Sequence, residues 1–378
     1  MTRIASVHKV TAPHRHTQET LAARLRSALP DADPELLRRV HASSGVRTRH
    51  LALPLDAYDT LTGFGDANDA YLHSASELGT EAVDGALRSA RVRPADVDLL
   101  VFVSTTGLAT PSVDARLVPR LGLRDDVVRL PVFGLGCAAG AAGMARVDDV
   151  LRGRTDALAV LLSVELPTLT LQRDDPSPAN LIGSALFGDG AAALVMCGPG
   201  HPAAATAAGP AVVATRSLLI PASERALGWD FTSTGFRAVL GPEIPDLVRT
   251  HLPDTVDAFL TDHHLTRPDI GSWICHPGGP KVLDAVETSL ALPASALAPS
   301  RTSLAQVGNL SSASVLHILA DVTAAGVAPG TWGLVLGFGP GFSVELALLR
   351  WDSARAGRIT PARRGNAPWD DAHFRSWS

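Results

Sequence analysis

The chain has 378 residues, of which 46% are apolar and 19% charged; that length allows two or three domains and that composition excludes a wholly disordered chain. Its 33 glycines and 27 prolines are scattered rather than periodic, which excludes collagen-like and low-complexity classes. The net charge is −5 with no basic block, no apolar run approaches the ~18–20 residues that span a bilayer, and the start MTRIASVHKVTAPHRH has no apolar signal-peptide core. The expectation is therefore a cytoplasmic enzyme that holds no nucleic acid and has no membrane span. Its three cysteines, Cys137, Cys197 and Cys275, form no CxxC pair, so neither a disulfide scaffold nor a zinc site is expected, and no other metal.

In chain order, residues 68–91 carry apolar side chains at helical spacing. Residues 93–107 (RPADVDLLVFVSTTG) read as a loop and a buried strand. VRLPVFGLG reads as a second buried strand running into the small-residue stretch CAAGAAGMARVDDVL, a helix, and ALAVLLSVE is a third strand. The second half repeats this order. A helix is expected over about 243–262, and RPDIGSWICHPGG (267–279) has the pattern of 93–107. A helix around 281–290, the stretch AQVGNLSSASVLHILADV and the strand WGLVLGFG follow. Pro94 precedes Cys137 by 43 residues and Pro268 precedes Asn309 by 41. Gly136-Cys137 and Gly308-Asn309 thus fall at equivalent places, each just before a small-residue helix. The pattern predicts a layered α/β fold made of two similar halves, residues 1–210 and 211–352, followed by a flexible tail, 353–378. Small residues on both central helices, Ala138–Gly143 and Ser311–Ala313, would let them pack closely.

Cys137 stands at a strand-to-helix junction, GLGCAAG. A helix N-terminus favours a thiolate, and its free N–H groups are suited to an oxyanion; the alternative is a small core cysteine. His276 follows an apolar strand and precedes Pro-Gly-Gly, where α/β folds place functional groups, although a structural loop histidine reads the same way. Asn309 alone reads first as a helix N-cap. GFGPGF (337–342) lacks the spacing of a dinucleotide loop and suits a close-approach turn beside a buried site. Together Cys, His and Asn allow two chemistries. In a cysteine peptidase the 139-residue step from Cys137 to His276 fits, but Asn309 lies 172 residues downstream and the CGSCW-type signature is missing. In thioester chemistry Cys137 accepts an acyl group while His276 and Asn309 polarise a second thioester.

The segments GLGCAAGAAGMAR, SALFGDGAAAL, ICHPGGPKVLDAVE, VGNLSSASVLHIL and GFGPGFSVEL resemble, in order and spacing, the type III polyketide synthases, the chalcone synthase-like branch of the thiolase superfamily. A ketosynthase III would show HQAN in place of HPGG; a single-condensation acyltransferase of that kind is the alternative. The resemblance implies a duplicated five-layer αβαβα thiolase fold, a homodimer, and no bound cofactor. It also implies CoA thioesters as substrates: an acyl-CoA starter with malonyl-CoA or methylmalonyl-CoA as extender. It carries Cys137 over as nucleophile and His276 and Asn309 as its catalytic partners. Phe187 is implied as an aromatic gate, Phe236 as a second, Ser311 as a cavity-shaping residue, and Gly337, Gly339 and Gly341 as the turn beside the substrate. Lys281, Arg38 and Arg39 fall where the family binds CoA. Among subgroups, LTLQRDDPSPANLIGSALFGDG and GWDFTSTGFRAVLGPEIPDLV are most similar to bacterial alkylresorcinol and alkylpyrone synthases, which implies a fatty starter and a resorcinol or pyrone product. GFGPGFS departs from the methionine-containing turn more usual in that subgroup. Cys275, beside His276, reads as a packing residue. Trp369, Phe374 and Trp377 of the tail are candidates for docking on the body.

Overall fold

The computed structural model describes residues 1–352; the expected flexible tail, with Trp369, Phe374 and Trp377, lies outside the described residues. The first half contains β1 (Arg3–Thr11), β2 (His14–Thr17), α1 (Gln18–Ala28), α2 (Pro34–Ser43), β3 (Thr48–Leu51), α3 (Phe64–Ala90), β4 (Leu99–Val103), α4 (Val113–Leu121), β5 (Val128–Val132), α5 (Ala139–Gly153), β6 (Leu158–Glu165), α6 (Pro178–Leu186) and β7 (Gly190–Cys197). The second contains β8 (Ala211–Leu219), β9 (Leu227–Thr232), β10 (Gly235–Leu240), α7 (Ile244–Thr261), β11 (Ile270–Cys275), α8 (Pro280–Ser289), α9 (Ala298–Val307), α10 (Ala313–Ala325), β12 (Trp332–Gly339) and β13 (Ser343–Arg350).

The strand pairing bears out the duplication. In the first half β4 runs parallel to β6, β6 antiparallel to β7, and β7 antiparallel to β1. In the second, β11 runs parallel to β12, β12 antiparallel to β13, and β13 antiparallel to β8. The half-sheets are joined into one nine-stranded order, β11-β12-β13-β8-β1-β7-β6-β4-β5. The joint is thin: one register pair, Arg3 with Ala211, flanked by backbone bonds such as Val212 N–H to Thr2 O at 2.9 Å.

Alternating side chains sort the strands into layers. On β6, Leu158, Val160, Leu162 and Val164 face α3 and α4, while Ala159 and Leu161 face the centre. On the opposite half-sheet, Leu346 and Leu348 of β13 face α7 and α8, while Ala347 and Leu349 face the centre. Two helices, α5 and α10, fill that centre with Met144, Val147, Leu151, Leu316 and Leu319. The result is five layers, αβαβα. The outer helix α3 begins four residues earlier than its periodicity predicts. It ends where Arg91 turns left-handed (φ 57°) and its N–H closes on Leu87 and Arg88 carbonyls.

One strand differs from its expected place. VRLPV was expected to be buried, but β5 is the free edge of the sheet, with Val128 49% and Leu130 37% exposed. Pro131 marks this, since a residue without an N–H is tolerated at an edge and not inside a ladder. Among the described residues no helix is long and apolar enough to cross a membrane.

The central helices meet at their N-terminal ends. A Cβ on Gly140 would lie 2.2 Å from the Ser312 carbonyl oxygen and 2.7 Å from Val315 Cγ2. In an exposed helix, Gly→Ala stabilises by about 1 kcal/mol. Here Gly140→Ala is expected to do the reverse, destabilising by about 1–3 kcal/mol through overpacking. Denaturant melting checks the sign; a variant as stable as the parent would mean that the helices part without cost.

Candidate active site

Cys137 lies in the short 3-10 turn Gly136–Ala138 that feeds α5. Gly136 is left-handed (φ 50°), and a side chain there would strike the Pro340 ring at 2.4 Å. From the other side, a Cβ on Gly339 would lie 2.5 Å from Leu135 O and 2.6 Å from Ala138 Cβ. The β12–β13 turn therefore presses backbone to backbone on the cysteine loop. Gly337 packs on the same loop, beside Ala138 and Ala141, while Gly341 faces Leu219.

His276 extends β11. Its N–H donates to Leu336 O at 2.8 Å, next to Gly337. The side chain is 2% exposed, and Nδ1 has no hydrogen-bond partner. Burial alone pushes its pKa down to about 3, so the imidazole is neutral throughout the working pH range. Cys275 beside it is buried against the outer helices, among Trp273, Leu283 and Leu336.

Asn309 follows the left-handed Gly308 (φ 77°) that closes α9. It is not a helix cap: Ser312 holds the N-cap position of α10. Instead Asn309 forms a parallel bridge with Phe187, its N–H donating to Leu186 O at 2.8 Å and its carbonyl accepting from Gly188 N–H at 3.1 Å. Its Oδ1 accepts from the Ser311 N–H at 2.8 Å. That bond orients the amide and leaves the Nδ2 donors free for a substrate oxygen.

Ser311 holds the unfavourable φ of 49°. Its hydroxyl donates to Glu165 Oε1 at 3.3 Å, and its side chain also hydrogen-bonds Cys137. Glu165 ends β6 and is fully buried. It accepts from Thr105 N–H and Thr106 Oγ1, each at 3.0 Å, and from the Ser312 hydroxyl. This carboxylate is a site residue that the motif reading passed over. Its signal was present: a lone acid at the carboxyl end of the apolar run ALAVLLSVE.

The electrostatics correct one expectation. The helix start was expected to favour a thiolate at Cys137. Instead its thiol is pushed up to about 12, first by burial, with the Glu165 charge adding; the Ser311 hydrogen bond pulls the other way. Half-burial of the cysteine and the anion nearby both favour the neutral thiol. The resting pair is thus a thiol and a neutral imidazole.

Beyond these residues lies a cavity of about 310 Å³, bordered by Leu25, Leu55, Tyr58, Thr170, Phe187 and Trp229 among others. Cys137, His276 and Asn309 do not border it. Phe187 is the link, because its ring faces the cavity while its backbone is bridged to Asn309. Phe236 is 3% exposed and lies in an aromatic cluster, 6.0 Å from Trp229 and 5.1 Å from Phe231. The ring beside Phe187 is Trp229, at 6.1 Å, a residue the sequence reading did not single out. Register explains the difference: in the hairpin β9–β10 Trp229 pairs with Ala238, and it is these two that border the cavity. Lys281 is exposed in the first turn of α8, and Arg38 and Arg39 are exposed on α2, with Arg38 tied to Glu35 at 2.6 Å. None of the three borders the cavity.

Compared with known families, residues 29–200 match the chalcone and stilbene synthases, N-terminal domain, and residues 211–351 match the chalcone and stilbene synthases, C-terminal domain. A 1,3,6,8-tetrahydroxynaphthalene synthase of Streptomyces peucetius subsp. caesius is 55% identical over 353 residues, 93% of each chain. A 3,5-dihydroxyphenylacetyl-CoA synthase of Streptomyces toyocaensis is 34% identical over 322 residues, 83% of this chain and 82% of the relative. The crystal structure of the tetrahydroxynaphthalene synthase of Streptomyces coelicolor A3(2), a bacterial type III polyketide synthase, superposes with a TM-score of 0.87 at 31% identity, covering 93% of this chain and 99% of that one.

The Glu165 carboxyl is raised to about 7 by burial, against which its four hydrogen bonds pull. A carboxyl raised on folding contributes stability that is present below its unfolded value and is lost as pH rises through the folded one. Glu165→Gln removes that loss. The variant is expected to match the parent near pH 5 and to exceed it at pH 8 by on the order of 3 kcal/mol. Thermal melting across that range is the check; an equal gap at both pH values would show that Glu165 does not titrate between them.

Proposed function

The chain belongs to the chalcone and stilbene synthase family, the type III polyketide synthases, which are condensing transferases acting on CoA thioesters without a bound cofactor, and we propose that it assembles malonyl-CoA units into a polyhydroxynaphthalene. The observation that carries this reading is the 55% identity, over 93% of both chains, to a synthase of 1,3,6,8-tetrahydroxynaphthalene. The chemistry balances: five malonyl-CoA give one C10H8O4, five CO2, five CoA and one water. Trp229 is consistent with it, since an indole 6.1 Å from the Phe187 ring adds bulk to the cavity wall, which favours a small starter over a fatty one. The relatives compared do not carry the fatty-starter expectation.

Each proposed step has its residue. As the Cys137 thiol attacks the starter thioester, its proton passes to His276, and the imidazolium then gives it to the departing CoA sulfur. CoA leaves and the chain is held as a thioester. Malonyl-CoA then places its thioester carbonyl against His276 and the Asn309 Nδ2 group. Loss of CO2 leaves an enolate, whose charge those donors stabilise. The enolate carbon attacks the Cys137 thioester carbonyl, the bond to Cys137 sulfur breaks, and the lengthened β-ketoacyl chain is left on CoA; its transfer back to Cys137, with release of that CoA, opens the next round. Asn309 donates without adding charge, which suits a carbonyl that becomes an enolate. Lys281, Arg38 and Arg39 are proposed to meet the anionic CoA at the surface.

We also propose that two copies associate through the β5 edge. Beside Val128 and Leu130, Phe133 is 45% and Phe231 62% exposed, an apolar strip along an unpaired strand.

A second reading, an aliphatic starter closed to a resorcinol or pyrone, is favoured by one observation, the leucine-lined cavity behind Phe187. Product masses decide. With malonyl-CoA alone the protein is expected to give the ten-carbon aromatic, and adding medium-chain acyl-CoA is expected to leave that product dominant. Failure to turn over malonyl-CoA until an acyl-CoA is supplied would replace the first reading with the second. Cys137→Ala is expected to lower either product by more than a thousandfold.

A further inference from the structure

We propose that Arg49 is a positioning residue for decarboxylation: through its hydrogen bond to the Phe187 carbonyl it fixes the backbone bridge that orients Asn309. The proposal rests on the assignment of Asn309 and His276 as enolate donors.

Arg49 lies on β3 and is 4% exposed. It forms no ion pair among the described residues, and its Nε has no hydrogen-bond partner. A guanidinium enclosed this way is costly, and it keeps its place only where a specific contact uses it. The contact is Nη1 donating to Phe187 O at 2.8 Å. The aliphatic stem continues toward the same target: Cγ and Cδ lie 3.1 and 3.2 Å from where a Gly308 Cβ would stand. Arg49 thus braces both strands of the Phe187–Asn309 bridge, one by a hydrogen bond and the other by contact.

The rest of that segment is tied to the same region. Asp189 N–H donates to His50 O at 2.8 Å. The Asp189 carboxylate accepts from Ala52 N–H at 2.7 Å and from Thr168 N–H at 3.0 Å, and the Thr168 hydroxyl reaches both Asp189 and Tyr58. The backbone from Leu186 to Asp189 is therefore held at each end, with the Arg49 bond in its middle, directly opposite Asn309. The Cys137 turn is backed instead by the β12–β13 turn, and it meets the Asn309 turn through the Ser311 side chain. Loss of the Arg49 donor should disturb Asn309 first and the nucleophile much less.

That separation gives the test. Arg49→Met keeps the stem and removes the donors; Arg49→Lys keeps the charge and one donor group. Two rates are measured: CO2 release from carboxyl-labelled malonyl-CoA, and alkylation of Cys137 by iodoacetamide. Arg49→Met is expected to lower kcat for CO2 release roughly 10- to 100-fold, the scale of a lost charged hydrogen bond, with KM for malonyl-CoA and the alkylation rate changed less than about threefold. Arg49→Lys should recover much of the loss. A parallel fall in both rates would make Arg49 a packing residue, and unchanged CO2 release would remove its role; either overturns the proposal. If Arg49→Met does not fold, Arg49→Gln with Arg49→Lys carries the same comparison. Asn309→Ala and His276→Ala run beside them. If those two still release CO2 at the parental rate, the assignment of the donors fails; if they are impaired and the Arg49 variants are not, only the present inference fails.

Discussion

Contact between two helix starts governs the rest of this structure. Where α5 and α10 meet, the glycine at 140 leaves room for the Ser312 carbonyl and nothing more. Because each half of the chain places its reactive residue just before its central helix, packing those helices N-terminus to N-terminus brings Cys137 and the Asn309–Ser312 turn to one end of the core. In the proposed reaction the nucleophile then comes from one half and the donors from the other. Neither half alone contains a site, and the thin Arg3–Ala211 joint leaves helix packing as the main determinant of their alignment.

Burial then sets the protonation states. Water is largely excluded from His276, Asn309, Ser311 and Glu165, each 3% exposed or less, so charged forms are disfavoured. The histidine is neutral, the cysteine protonated, and Glu165 poised near neutrality by four opposing hydrogen bonds. Such a site holds little resting charge. In the proposed reaction negative charge arises first on sulfur and then on the enolate, where fixed donors act with little reorganisation. A permanently charged histidine would stabilise the ground state of an anionic malonyl group as much as the transition state, and would gain less in rate.

Much of this was legible in the sequence because duplication writes itself twice. The matching intervals before Cys137 and Asn309 identified equivalent positions, and apolar periodicity pointed to a layered α/β fold, to which the family resemblance added the count of five layers. What stayed hidden depends on neighbours distant in sequence. The apolar content of β5 resembles that of a buried strand until sheet order shows it at an edge, although Pro131 was a usable clue. The hairpin β9–β10 has aromatic residues on both strands, so Phe236 and Trp229 could be told apart only by register. The protonation of Cys137 depends first on burial and then on Ser311 and Glu165, which approach it only through folding. Asn309 read as a cap because an asparagine before a helix usually is one; its bridge to Phe187 involves a partner 122 positions away.

The arrangement also separates what must stay fixed from what is free to vary. Cys137, His276 and Asn309 are held by backbone bonds and glycine contacts of the duplicated core, where even a methyl group has no room. The cavity wall is built differently. Trp229 and Ala238 stand on a two-stranded hairpin outside the main sheet, held by aromatic contacts and by polar bonds to loop residues, such as Gln172 to the Phe236 carbonyl at 3.2 Å. Side chains on that hairpin border the cavity, whereas Cys137, His276 and Asn309 do not. A fold that condenses thioesters by one chemistry can therefore admit different chains through changes confined to a small, separately anchored element. Phe187 is where the two parts meet, since its ring belongs to the variable wall and its backbone to the fixed site.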